Sequence, residues 1–318
     1  MTEQATRQEA AIAATGLSKW YGNVAGLLDV DLTVSTGVVG LLGPNGAGKT
    51  TFLRMVTGQL KPSTGSLTLF GKDPWSHPEV LSRIGYAPEH DGTWDELTGR
   101  AFVRFAAELA GMDRPSAAKA ADAAIERVTM EKAADRPIKT YSKGMRQRIK
   151  LAQAIVADPD LVILDEPLTG CDPLVRADII ALIRDLGAHG KTLLVSSHIL
   201  HEVEAMTDEV VLLYKGHVLA TGDVASLREL IEDHPHKIEV RCNDPRVLAG
   251  ALVSEDSVRA LEILPGKLLV ETERPDACYP AIAEAILAAD LDLEGLLSPD
   301  EDLEAVFRYL TSRDVAGI

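Results

Sequence analysis

Gly43-Pro44-Asn45-Gly46-Ala47-Gly48-Lys49-Thr50 lies between the apolar run Val38-Val39-Gly40-Leu41-Leu42 and Thr51-Phe52-Leu53-Arg54-Met55-Val56, which is spaced as a helix. Strand, glycine-rich loop and helix, with G-x-x-x-x-G-K-T at the junction, form the phosphate-binding loop pattern in the context it requires. Glycines let such a loop turn its N–H groups inward around an anion, and the helix N-terminus adds a favourable dipole. Lys49 can reach the terminal phosphates of a nucleotide, and the Thr50 hydroxyl can ligate Mg²⁺. An ordinary glycine-rich turn explains neither the Lys-Thr pair nor the apolar lead-in. The stretch predicts a nucleotide-binding α/β unit.

Working outward, the run Leu161-Val162-Ile163-Leu164 reads as a buried strand that ends on Asp165-Glu166-Pro167. An Asp at such a strand end can hold Mg²⁺ beside the β- and γ-phosphates, and Glu166 is placed to orient and deprotonate an attacking water. Alone, an acidic pair is as readily a turn. Beside a phosphate loop on a neighbouring strand it becomes half of a hydrolysis site.

The rest of the chain supplies the frame. Ala11–Ser18, Leu27–Val34, Ser66–Phe70 and Arg83–Tyr86 read as strands, with Lys19-Trp20-Tyr21-Gly22 an aromatic pair before a turn. Residues 97–131 turn Ala-rich and helical, split at Asp113-Arg114-Pro115, and form the middle of a helical insert spanning about 90–158. Ser142 is a good N-cap for a helix whose apolar face carries Met145, Ile149, Ala152 and Ile155. Asp172-Pro173 opens another helix to about His189, and Thr192–Val195 is a strand ending on Ser196-Ser197-His198. Val210–Tyr214 and Val218–Ala220 form a hairpin, and Asp223 caps a helix. Composition changes at 232–236, which divides the chain into 11–231 and 237–318. The second part reads strand, helix, strand, strand, helix, strand. That is the ferredoxin-like order, and a terminal helix follows from Pro299 to about Thr311.

Between the two chemical stretches lies Tyr141-Ser142-Lys143-Gly144-Met145-Arg146-Gln147-Arg148. Here the pieces resemble the ATP-binding subunits of ABC transporters, whose phosphate-contacting signature is usually written LSGGQ; Ser142 and Gly144 are kept. Residues 11–225 carry the family's motifs in order: an aromatic before the phosphate loop, the helical insert, the signature, Asp165-Glu166, Asp172 in Leu168-Thr169-Gly170-Cys171-Asp172, and His198. The resemblance implies a P-loop ATPase domain binding ATP and Mg²⁺. Tyr21 would stack on adenine, and Gly43, Pro44, Asn45, Gly46, Ala47, Gly48, Lys49, Thr50 and Thr51 would hold the phosphates. Thr50, Asp165 and Glu89 would hold the metal. Glu166 would be the base, with His198 and Lys49 at the γ-phosphate. Ser142, Lys143, Gly144 and Asp172 would close on ATP held by a second copy of the chain. Two departures stand out. Glu89 occupies the place of a Gln that touches Mg²⁺, and Lys143 and Met145 replace a Gly and the Gln of the signature.

Composition narrows the function classes. At 318 residues, 46% hydrophobic and 25% charged, the chain has room for two domains and is not broadly disordered. A net charge of −16 argues against nucleic acid as a partner. Cys171, Cys242 and Cys278 form no CxxC pair and suit a reducing compartment. The first residues do not read as a signal peptide, and no apolar run approaches the ~20 residues needed to cross a bilayer. His198-Ile199-Leu200-His201-Glu202 matches neither HExxH nor HxxEH, which argues against a metal there. The resemblance to ABC-2 type exporter ATPases, carried by YSKGMRQR, by Ala87-Pro88-Glu89 and by Ser298–Phe307, implies an energising subunit. It would sit on the cytoplasmic face of a membrane through a separate permease. The competing expectation is a soluble ABC-type ATPase in cofactor assembly or another non-transport role. Residues 237–318, with eight Lys/Arg against seventeen Asp/Glu, read as a stabilising or dimerisation appendage.

Overall fold

The computed structural model describes residues 10–90, 95–207, 209–223 and 236–297. The chain divides into two units, residues 1–224 and 225–318.

In the first unit, β1 (Ile12–Tyr21) pairs antiparallel with β2 (Val24–Val34). The alternation of Leu27, Val30, Leu32 and Val34 turns one face of β2 inward, where all four are buried. The strand β1 runs three residues past the expected end at Ser18, because the turn at Gly22-Asn23, with Gly22 at φ 60°, closes a tight hairpin around the aromatic pair. After the phosphate strand β3 (Gly37–Leu42) and helix α1 (Lys49–Val56) comes β4 (Thr64–Leu69), which returns to the other edge of β1.

The second sheet holds the chemistry. It contains β5 (Ile84–Ala87), β6 (Leu161–Asp165), β7 (Thr192–Ser197), β8 (Glu209–Tyr214) and β9 (His217–Asp223). Its order is β5-β6-β7-β3-β8-β9, parallel except for the β8–β9 hairpin. Every residue of β6 and β7 is buried, as continuous apolar runs in a parallel sheet covered on both faces require. Parallel alignment brings the C-terminal ends of β3, β6 and β7 to one edge, the place where open α/β sheets bind ligands.

The Ala-rich segment forms α2 (Gly99–Leu109) and α3 (Arg114–Arg127), capped by the Thr98 and Asp113 side chains. Ala107, Ala117, Ala121 and Ala124 are buried where these helices meet α4 (Lys143–Ile155); small side chains permit that close packing. Helix α5 (Pro173–Ala188) and short α6 (Leu200–Glu204) complete the unit among the described residues. Asp223 is the last residue of β9, and the helix expected after it lies outside the described residues.

In the second unit, β10 (His236–Cys242), α7 (Pro245–Leu252), β11 (Ala260–Leu264), β12 (Lys267–Thr272), α8 (Pro275–Ala288) and β13 (Leu293–Leu297) follow in that succession. The sheet order is β11-β12-β10-β13, with antiparallel pairing throughout. Ile238, Val240, Cys242, Leu268 and Val270 share its buried face with Leu248, Leu252 and Ile282 of the helices. The terminal helix expected from Pro299 lies outside the described residues.

Candidate nucleotide-hydrolysis site

Two glycines of the loop after β3, Gly43 and Gly48, are packed too tightly to carry side chains. A Cβ on Gly43 would stand 2.3 Å from the Leu213 carbonyl oxygen, and one on Gly48, at φ 110°, would stand 2.6 Å from that of Gly26. The Gly43 N–H donates to the Ser197 carbonyl at 3.2 Å, tying the loop to the end of β7. Helix α1 then starts at Lys49, so its first N–H groups face the concavity of the loop.

Lys49 does not point to solvent. Its Nζ donates to the Gly43 carbonyl at 2.5 Å and sits 3.3 Å from Glu166 Oε1, both side chains being 7% exposed. The other Glu166 oxygen, Oε2, lies 2.8 Å from His198 Nδ1 and 3.5 Å from the Thr169 hydroxyl. Glu166 adopts φ 51°, a left-handed conformation that a non-glycine residue rarely takes. Its N–H donates to Ser196 Oγ at 2.9 Å, and that hydroxyl donates to Asp165 Oδ1 at 2.6 Å. Asp165 Oδ2 meets the Thr50 hydroxyl at 3.5 Å. Burial pushes the Asp165 carboxyl above its ordinary value. The Ser196 bond opposes that shift, and the Glu89 and Glu166 carboxylates reinforce it. Thus Lys49, Thr50, Asp165, Glu166 and His198 come together from the ends of β3, β6 and β7.

Thr50 and Asp165 offer the hard oxygen donors that Mg²⁺ prefers, side by side. Glu89 follows β5 with a half-exposed carboxylate, and its loop is held by Lys150 Nζ, which donates to the Pro88 and Glu89 carbonyls at 2.8 and 2.9 Å. Among the described residues no group of three or more His, Cys, Asp or Glu is arranged to hold a metal. A cation at Thr50 and Asp165 would therefore complete its shell with water and phosphate oxygens, the usual arrangement for Mg²⁺. Tyr21 ends β1 with its hydroxyl 3.5 Å from that of Thr51 and its ring against Gly26, so an exposed aromatic borders the loop helix.

The ABC transporter family matches residues 27–169. The daunorubicin/doxorubicin resistance ATP-binding protein DrrA of Streptomyces peucetius is 32% identical over 98% of this chain and 94% of its own. The Nod factor export ATP-binding protein I of Rhizobium johnstonii is 34% identical over 96% of each. A solved ATP-binding subunit of an ABC transporter aligns with TM-score 0.63 at 29% identity, covering 69% of this chain and 92% of its own. The chain belongs to the ABC transporter ATP-binding proteins. Its nucleotide is ATP, and it is an ATPase.

The signature of this ABC protein packs against the start of α5. Ser142 caps α4 by accepting the Met145 N–H at 3.3 Å. Lys143 lies along Gly170, whose added Cβ would meet its Cδ at 2.6 Å, and buried Gly144 lies against Val175. Asp172 caps α5 through the Leu174 and Val175 N–H groups. Among the described residues no hydrogen bond or ion pair joins Ser142, Lys143, Gly144 or Asp172 to residues 43–51.

Sequence reasoning passed over four side chains that hold the site: Ser196, Ser197, Glu202 and Arg176. Ser197 Oγ donates to buried Glu202 at 2.9 Å and accepts the Ile199 N–H at 3.1 Å, and Arg176 reaches Glu202 at 3.5 Å. This group fixes the turn that carries His198. The available signal was two hydroxyls closing an otherwise apolar strand, with an acid four residues past His198.

Proposed function

We propose that this chain powers export through separate membrane-spanning subunits, two copies closing on two ATP molecules. The observation that carries this reading is the contact of buried Lys49 and Glu166 with each other and with half-exposed His198, set beside Thr50 of the phosphate loop and Asp165 at the end of β6. Phosphates entering the loop compete for Lys49 and release Glu166, which His198 keeps in place. Glu166 then takes a proton from water as the water oxygen bonds to the γ-phosphorus and the bond to the β–γ bridging oxygen breaks. Mg²⁺ held by Thr50 and Asp165, with Glu89 at its margin, would offset charge on the phosphates. Tyr21 stacks on the adenine.

Ser142, Lys143, Gly144 and Asp172 act on the partner copy's ATP in this reading; among the described residues none of them is hydrogen-bonded or ion-paired to its own loop. Export follows from the relatives' functions in drug resistance and Nod factor export. No helix of the described residues is long and apolar enough to cross a membrane; in this reading the permease is a separate chain and this subunit is peripheral on its cytoplasmic side. A groove lined by Pro88, Phe102, Phe105, Leu109 and Ile149, with Leu109 exposed, adjoins the Glu89 loop and suits that contact. The unit from 237 onward is a ferredoxin-like appendage that stabilises or dimerises the ATPase.

Glu166→Gln tests the centre of this reading. Turnover is expected to fall by about 10²–10⁴-fold, with ATP-bound dimers accumulating in size-exclusion chromatography with light scattering. Hydrolysis near the wild-type rate removes Glu166 as the base.

A further inference from the structure

We infer that Ser196 is a positioning residue for ATP hydrolysis, its single hydroxyl setting the orientation of both carboxylates at the site. The inference rests on the reading of Asp165 and Glu166 given above and extends it to a residue that acts through those two carboxylates.

A serine hydroxyl has one proton to donate and lone pairs to accept. At Ser196 both capacities are spent on consecutive residues of the neighbouring strand. The proton goes to Asp165 Oδ1 at 2.6 Å, and the Glu166 N–H is received at 2.9 Å. The first bond, short and charge-assisted, fixes which carboxylate oxygen is occupied. With Oδ1 held, Oδ2 is the oxygen left facing the Thr50 hydroxyl, where the metal would be shared.

The second bond acts on Glu166. Asp165 pairs with Ser196 in the parallel β6–β7 ladder, and the ladder ends there. The next residue turns to φ 51°, so its N–H leaves the strand pattern and has only the Ser196 oxygen to meet. That anchor holds the left-handed turn from which the Glu166 side chain reaches Lys49 and His198. Ser196 is wholly buried, so water cannot replace either bond. Ser197 cannot substitute, because successive strand residues face opposite ways and its hydroxyl is committed to Glu202.

The test compares Ser196→Thr with Ser196→Val in the full chain. The two side chains have the same shape, and only Thr keeps the hydroxyl. Turnover is measured with saturating Mg²⁺. Separately, affinity for a fluorescent ATP analogue is measured with Mg²⁺ and with EDTA, in the cold where turnover is negligible. Val is expected to lower kcat, and the Mg²⁺-dependent gain in affinity, by about 10-fold or more, as loss of a residue that orients a metal ligand does. Its affinity in EDTA should stay near wild type, and Thr should restore both lost quantities. Ser196→Ala, which leaves a smaller side chain without strain, should follow Val; it serves as the informative variant if Val fails to fold. Equal losses in Thr and Val overturn the inference, and so does an Ala variant with unaltered kcat and Mg²⁺ gain. A wild-type chain with no Mg²⁺ gain, or Glu166→Gln at full activity, instead overturns the reading of the site beneath it.

Discussion

Glu166 is held in a backbone conformation that only glycine adopts without strain, and comparing Glu166→Gly with Glu166→Ala isolates that strain. Both replacements remove the carboxylate, so both lose the ion pair to Lys49 and the contact to His198. Both keep the N–H that donates to Ser196. Loss of the buried partner of Lys49 lowers stability equally in each and cancels in the comparison. What remains is the residue at φ 51°. A left-handed alanine costs about 1–2 kcal/mol relative to glycine. Glycine gives back about 0.4–1 kcal/mol through its freer unfolded chain. The net expectation is that Gly is more stable than Ala by about 0.8 kcal/mol, although both are inactive. With a urea m-value of about 2–3 kcal/mol/M for a unit of this size, the midpoint moves by about 0.3 M. The three tryptophans, Trp20, Trp75 and Trp94, all lie in residues 1–224, so tryptophan fluorescence follows this unit alone. An Ala variant as stable as the Gly variant would show that the turn at Glu166 relaxes freely and that no strain is held at the base.

Three further outcomes are expected. Lys49→Ala should weaken ATP binding by about 100-fold or more, since the phosphates lose a buried cation at the loop; equilibrium dialysis reads this directly, and tight retained binding would refute the phosphate-loop assignment. Asp165 has a raised native pKa, so the folded state takes up its proton more readily than the unfolded state, whose value is about 3.9. Relative to Asp165→Asn, wild type should therefore lose stability as pH rises from about 4 through the native pKa; a gap that widens in the other direction contradicts the assigned cause, burial of the carboxyl. Glu202→Ala leaves the Ser197 hydroxyl and Arg176 without their acceptor, which should cost about 2 kcal/mol of stability and lower kcat more than KM as the His198 turn loosens; unchanged kinetics would show that the turn holds by itself.

The parts of this protein that were legible in its sequence are those specified locally. The phosphate loop has its strand, its glycines and its helix within twenty residues, and Asp172-Pro173 states its own helix start through a cap and a fixed φ. Helix α7 begins and ends where Asp244-Pro245 and the apolar spacing place it. The pairing of β4 with β1 was not legible, because its partners are separated by some fifty residues and either edge of β1 offers the same hydrogen-bonding groups. Nor was the role of Ser196. Its hydroxyl matters only because β6 and β7 align in parallel with Asp165 opposite it, a register that no local signal encodes. Lys150 is a similar case, since a lysine on a predicted helix face reads as solvated until the Pro88 and Glu89 carbonyls are found beneath it.

Among the described residues no hydrogen bond or ion pair links the signature cluster to the phosphate loop, which fits the proposed pairing with a second copy. One cluster, from the ends of β3, β6 and β7, holds the Lys49–Glu166 ion pair beside the Thr50–Asp165 contact, the proposed base and metal pair. The other gathers Ser142, Lys143 and Gly144 at the start of α4 beside Gly170 and the cap of α5. A lysine in the first turn of a helix opposes the helix dipole, and its placement there is unfavourable unless an anion offsets it. The acidic chain offers many carboxylates, yet among the described residues none is paired with Lys143. A cap that gathers positive charge and amide dipoles, in the same unit as a complete loop to which it is not bonded, has a use if the anion belongs to another chain. In the proposed dimer, closure would align Glu166 of each copy with its own water and each signature with the other copy's γ-phosphate.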